Sequence, residues 1–208
     1  MSASRSIKCL LAGLTALSAS ACVSILPEAE PVAVYRLSSP MPRADQTHTG
    51  VIVEIERPRA PAGLSSDDIA VERTEGQLAY LSGAAWISPT PVVLQSLVID
   101  TFHAQANGID PVYPSDAVRG EYELRLDLRS FEAVYDQGPD AAPLVRVRFM
   151  ARLVEEQGRN LVSARVFHTT RRADSNRVSS IVEAFNQAST EVASELASWT
   201  STAVRARG

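Results

Sequence analysis

The chain has 208 residues, 45% hydrophobic and 21% charged, with 20 basic against 24 acidic side chains and a net charge of -4. That balance is ordinary for a globular protein and lacks the basic excess that nucleic-acid binding needs. The two cysteines are Cys9 and Cys22, so any chain that has lost its first residues can hold neither an internal disulfide nor a zinc site built from cysteines.

Residues 1–21 read as an export signal. Arg5 and Lys8 precede an apolar run over 9–17 and small residues over 18–21. The run is too short to span a bilayer, which takes about 20 apolar residues. Cys22 follows the small residues, as does the cysteine of a bacterial lipoprotein signal that is lipidated and becomes the first residue of the mature chain. Ala19 stands three residues before it, where Leu is usual, and the nearest Leu is Leu17. The alternative is an ordinary signal cut elsewhere, for example after Ala21, with Cys22 a plain thiol. Lipid attachment at Cys22 is the preferred reading, because Cys9 leaves with the signal and the remaining thiol then sits at the N-terminus.

Residues 22–31 carry Pro27, Glu28, Glu30 and Pro31 without periodicity and read as a flexible tether. Val23 directly follows the cysteine, where an Asp would favour retention in an inner membrane. Its place is therefore expected on the periplasmic side of the envelope, at the outer membrane. Residues 32–205 then form a single domain.

A first strand is predicted over 32–37 and stops at Ser38, Ser39 and Pro40. A second over 51–55 puts Val51, Val53 and Ile55 on one face. Pro58 and Pro61 end it and leave that end free or at an edge, since proline cannot donate to a ladder. Short strands over 69–73 and 77–81 join near Glu75 and Gly76. Residues 83–86 lead into a first helix, capped by Ser88 or Thr90 with Pro89 or Pro91 at its first position. Leu94, Leu97, Val98 and Phe102 mark its buried stripe, and Asn107 with Gly108 closes it.

The clearest strand runs over 121–129. Tyr122, Leu124, Leu126 and Leu128 face one way; Glu121, Glu123, Arg125, Asp127 and Arg129 face the other. Phe131, Ala133 and Tyr135 continue the apolar row only if one residue is skipped near Ser130, which predicts a β-bulge. After a loop over 136–143, Val145, Val147, Phe149, Ala151 and Leu153 alternate with Arg146, Arg148 and Arg152. A turn over 155–160 and a return strand over 161–169 complete an antiparallel meander with one wet face. A long helix over 177–203 carries the stripe Val178, Ile181, Phe185, Ala188, Val192, Leu196 and Trp199. Ser180 and Glu183 fit a capping box, with Asp174 as an earlier alternative. The fold class is α+β: a largely antiparallel sheet with two amphipathic helices packed on one face.

No catalytic, metal or cofactor site is expected. His48, His103 and His168 lack metal-ligand spacing. Ser82, Ser88 and Ser163 lack a nucleophile elbow, Asp67 and Asp68 supply too few oxygens for calcium, and no loop cradles phosphate. Arg125, Arg129, Arg146, Arg148 and Arg152 form either a docking surface for an anionic partner or, as preferred, a salt-bridged solvated face. Trp86 and Trp199 read as core. By exclusion an enzyme is not expected.

Four stretches together resemble the ABC-type transport auxiliary lipoproteins (the PqiC-like group). They are the signal ending at Cys22; Val34-Tyr35-Arg36-Leu37 after the tether; Leu78-Ala79-Tyr80 and Trp86 running into Pro89-Thr90-Pro91; and Ile181-Val182-Glu183-Ala184-Phe185-Asn186-Gln187-Ala188 followed by Trp199. The resemblance implies a lipid-anchored periplasmic protein that docks an MCE-domain protein, with a permease and an ATPase in the same system. Such systems move phospholipids or related lipids between inner and outer membranes. Members of the group can self-associate, which makes a homo-oligomer an expectation here, and the resemblance carries over no further site residue, so Cys22 is the one site named. The alternatives are a lipoprotein that scaffolds another envelope machine and a stand-alone lipid carrier, which requires an apolar cavity between sheet and helices.

Overall fold

Alternating apolar residues build the longest strands of this computed structural model, which describes residues 31–41, 50–74, 76–105 and 108–207. The signal, the tether up to residue 30 and Cys22 lie outside the described residues, as do Pro42, His48, Glu75 and Asn107. The elements are β1 (Ala33–Tyr35), β2 (Val51–Ile55), β3 (Asp68–Thr74), β4 (Gln77–Trp86), α1 (Thr90–Gln105), β5 (Ile109–Val112), β6 (Tyr122–Val134), β7 (Leu144–Glu155), β8 (Asn160–Arg172) and α2 (Val178–Arg205).

The predicted meander is β6, β7 and β8, paired antiparallel along their length. Leu128 pairs with Phe149 and Ser130 with Arg148, so Arg129 is the extra residue of a bulge, one position from where the parity slips. The other side of β6 meets two strands in succession. β2 runs parallel beside Tyr122, Glu123 and Leu124, and β3 runs parallel beside Ala133 and Val134. From there the sheet divides: β5 adds to β2 in parallel, β4 adds to β3 antiparallel, and β1 adds to β4 in parallel. The fold is α+β as expected, and the sheet is mixed: its long ladders are antiparallel and its short ones mostly parallel. Parallel neighbours need long connections. Here β3, β4, α1 and β5 all intervene between β2 and β6, so no local turn signal marks the pairing.

Several boundaries differ from expectation. The chain beyond β2 is not free. The Glu56 and Arg59 amides donate to the carbonyls of Leu124 and Leu126, at 3.1 and 2.8 Å, and the Leu128 amide donates back to Arg59. Pro58 is tolerated because these ladder bonds use the amides on either side of it. β4 runs on through Gly83 to Trp86 because Gly83 adopts a φ of 69°, which lets the strand bend and then pair with β1. Thr90 opens α1 but does not cap it: its hydroxyl donates to the Ser66 carbonyl at 3.1 Å. Arg177 precedes α2 with no side-chain cap, while Ser180 Oγ lies 2.8 Å from Ser175 Oγ, so the Ser180–Glu183 capping box does not form.

The helices cover one face of the sheet, α2 over β7 and β8 and α1 beside α2, against β2 and β5. The stripe on α2 is buried as predicted from Ile181 to Leu196, with Val178 and Trp199 at its ends partly covered. Burial runs around most of α1, whose Gln95 and Thr101 are buried with Leu94, Leu97, Val98 and Phe102. Those polar groups are satisfied internally: Gln95 Nε2 donates to the Ile55 carbonyl at 2.8 Å and the Thr101 hydroxyl to the Leu97 carbonyl at 2.7 Å. Between the layers, Phe185 of α2 stands 5.4 Å from Trp86 of β4 and 4.7 Å from Phe131 of β6, ring centre to ring centre. Phe102, Phe149 and Phe167 are buried in the same hydrophobic core, Phe167 edge-on to Trp199.

Candidate functional site

The sheet face turned away from the helices is the surface the fold leaves open, and its two halves differ. On the meander, side-chain alternation turns Glu123, Arg125 and Asp127 of β6 outward with Arg146, Arg148 and Arg152 of β7. Arg125 Nε donates to Glu123 Oε1 at 2.8 Å, and Arg152 bonds Asp127. Arg146 lies 3.4 Å from the Glu132 carboxylate and 3.6 Å from that of Glu72, and Arg129 lies 3.8 Å from Asp127. Four of the five arginines singled out in the sequence therefore sit against carboxylates, which favours the salt-bridged reading of this face. Arg148 is exposed beside them.

Burial grades these carboxylates. Glu132 is only 5% exposed and accepts the Phe131 amide at 2.7 Å; burial pushes its pKa up against the opposing pull of that amide and of Arg146. Near the end of β2, burial raises Glu56, and its hydrogen bond with Glu123 raises it further. Glu123 is itself held low, chiefly by the hydrogen bond from Arg125. Glu54 is raised by burial and then by the charges of Glu123 and Glu156.

The other half of this face is apolar. Trp86 points into the core, so its neighbour Ala85 and the residue paired with it, Val34, point out. Val71 points into the core, so Ala70 and Glu72 point out together with their partners Tyr80 and Leu78. Val32, Val34, Leu78 and Tyr80 are 57%, 61%, 40% and 43% exposed, and Ile87, held to β1 by its amide bond to the Tyr35 carbonyl, is 51% exposed.

The remaining sequence candidates do not converge. His103 is half-buried in the last turn of α1 and His168 is exposed on β8. No cluster of metal-ligating side chains occurs among the described residues. Asp68 accepts from the Ser66 hydroxyl at 2.9 Å and the Asp67 carbonyl accepts the Trp86 amide at 2.7 Å, so this pair forms a structural turn. Ser82 is exposed, while Ser88 and Ser163 are half-buried on separate elements. Trp86 is core, whereas Trp199 is half-buried with its ring edge-on to Phe167 at 5.5 Å. Sequence reasoning missed Glu72 and Glu132 as partners of Arg146; the bulge parity contains the signal for Glu132, because skipping one residue returns it to the charged face. The apolar half needs the pairing of β1 with β4, which no local pattern supplies.

The domain is a mixed sheet with two helices on one face, and its open sheet face is charged on the meander and apolar near β1 and β4. The family model for the ABC-type transport auxiliary lipoprotein component matches residues 35–197, and the chain belongs to that family, which is not a known enzyme family. The crystal structure of protein XCC0632 from Xanthomonas campestris is similar, with a TM-score of 0.75 and 25% identity over 85% of this chain and 98% of that one. Another solved structure, of an uncharacterized protein, has a TM-score of 0.67 at 16% identity over 82% of this chain and 99% of that one, and shows the same fold. The uncharacterized protein bll6063 of Bradyrhizobium diazoefficiens is 29% identical over 119 residues, which are 57% of this chain and 31% of that protein. The chain thus spans about a third of the length of that curated relative. The family places the protein with the cell envelope. No helix among the described residues is long and apolar enough to cross a membrane.

Proposed function

We propose that the protein is acylated on Cys22 after removal of residues 1–21, tethered by residues 22–31 to the periplasmic face of the outer membrane, and docks an MCE-domain protein of an ABC transport system. A permease and an ATPase complete the system, and its cargo is phospholipid moving between the two membranes. Self-association of the domain belongs to the same reading. The family match carries it: it begins at residue 35, just beyond the proposed tether, and covers the body of the domain. The packing of Phe185 against Trp86 and Phe131 between sheet and helices favours docking over carriage, because a stand-alone carrier needs that space for an acyl chain.

Crosslinking in cells, followed by identification of the partner, tests the docking. An MCE-domain protein is the expected product; reproducible crosslinks to a different envelope machine instead would replace this reading. A Cys22→Ser variant is expected to fractionate as soluble periplasmic protein or uncut precursor, whereas unchanged membrane association would remove the anchor from the account.

A further inference from the structure

The outward apolar side chains of β1 and β4 lie where the chain comes in from the proposed anchor. Ten residues, 22–31, separate Cys22 from Val32, and at about 3.6 Å each they reach at most about 36 Å. β1 is an edge strand of only three residues that pairs with Ala84, Ala85 and Trp86 of β4, while Tyr80 and Leu78 lie further back along β4, opposite Ala70 and Glu72 of β3. Nothing among the described residues covers Val32, Val34 or Ile87, each more than half exposed. Soluble domains expose single hydrophobics freely, but a cluster of them marks a contact. The opposite edge, β8, lies five strand spacings away along β1-β4-β3-β6-β7-β8, about 24 Å at about 4.8 Å each.

We infer that the β1 edge of the sheet, with the outward side chains Val32, Val34, Tyr80, Leu78 and Ile87, rests on the lipid surface that holds the anchor, and that the sheet stands on this edge with the meander and its β8 edge away from the membrane. The inference rests on acylation of Cys22. A tether this short keeps the patch within reach of the bilayer at all times, so a small apolar contact suffices to bias the orientation without binding on its own. The tyrosine suits such a boundary, with an apolar ring and a polar tip. Its hydroxyl already donates to the Gly63 carbonyl at 3.3 Å, so the ring is held in place on this face. A charged surface such as the outward side of β7 gains nothing from acyl chains, which fixes which half of the sheet turns to the membrane.

The test uses the acylated protein reconstituted in vesicles of phosphatidylethanolamine and phosphatidylglycerol that carry nitroxide-labelled lipid. Val34→Cys, Ile87→Cys and, as the distal comparison, Val166→Cys on β8 are labelled singly with a bimane fluorophore. An apolar protein face at an interface lies about 5–10 Å into the headgroup and acyl boundary, within reach of the nitroxide. Emission at positions 34 and 87 is expected to fall several-fold more than at 166. Adding Val34→Asp to the Ile87→Cys protein is expected to abolish most of the quenching at 87, although the tether is unchanged. Equal quenching at all three positions, or quenching at 87 that ignores Val34→Asp, overturns the inference. So does a patch that stays unquenched because a second copy covers it, seen as concentration-dependent assembly lost with Val34→Asp. The wild-type protein separates the two levels: bimane uptake by Cys22 shows a free thiol and removes the anchor reading and this inference together. An unreactive wild type with unquenched Val34 removes this inference alone.

Discussion

On β6 and β7 four of the five arginines singled out sit against carboxylates, whereas on β1 and β4 the outward Val34, Leu78 and Tyr80 are apolar and at least 40% exposed. Both halves belong to one sheet and share one core, so the contrast does not come from different folding requirements. It comes from the side chains placed at outward positions, where folding asks for little. The charged half resembles a surface built to stay in water: its ion pairs hold each other and offer few uncompensated charges. The apolar half leaves Val34, Leu78 and Tyr80 uncovered, and grouped exposed apolar side chains are what a contact surface requires.

The largest effect is expected where the two halves are joined. Phe185 touches Trp86 beneath the apolar half and Phe131 beneath the charged half. Phe185→Ala should cost about 3–5 kcal/mol, read as a lowered urea midpoint with unchanged slope. A cost well under that would mean the core closes around the loss.

Glu132 comes next. Glu132→Ala leaves the Phe131 amide and Arg146 without their buried acceptor and should cost about 1–3 kcal/mol. Its pH dependence has a definite sign. The folded-state pKa is raised above the ordinary 4.5, so the folded protein holds this proton more tightly than the unfolded chain does. The contribution from Glu132 is complete below the ordinary value and is lost as pH rises through the folded one. The difference in urea midpoint between wild type and Glu132→Gln should therefore change across that interval, with wild type losing ground as pH rises. A difference constant with pH would show that Glu132 ionises normally.

Arg125→Ala and Arg152→Ala should each cost only about 0–1 kcal/mol, because these pairs sit in partly exposed positions. Val34→Asp should be smaller still, within about 0.5 kcal/mol, since Val34 is exposed. That near-silence in stability, set beside a loss of lipid contact, is what would separate a contact surface from a structural one.

The meander was legible because β6 and β7 alternate and β6 carries a parity slip, which the structure places at Arg129 beside Ser130; the register shift between Leu153 and Val154 against β8 had no such sign. α2 was legible from a seven-residue stripe, all of it buried or partly buried. The short parallel strands were legible as strands but not as neighbours: Val51–Ile55 reads as extended, yet nothing in those five residues says that β6 lies on one side and β5 on the other. Pro58 was misread for the same reason, because a proline ends a ladder only if its own amide was needed. The two caps failed through competition: the Thr90 hydroxyl bonds Ser66 and that of Ser180 lies against Ser175, partners visible only after folding. The arginine face was legible as a mixed-charge surface, while the apolar face depended on the β1–β4 register.

The most direct test of the account is the intact mass of the protein recovered from the cell envelope. The account predicts a chain that begins at Cys22 and carries the added mass of a diacylglyceryl group with its fatty acyl chains. A chain that begins elsewhere, or that begins at Cys22 with an unmodified thiol, would contradict it.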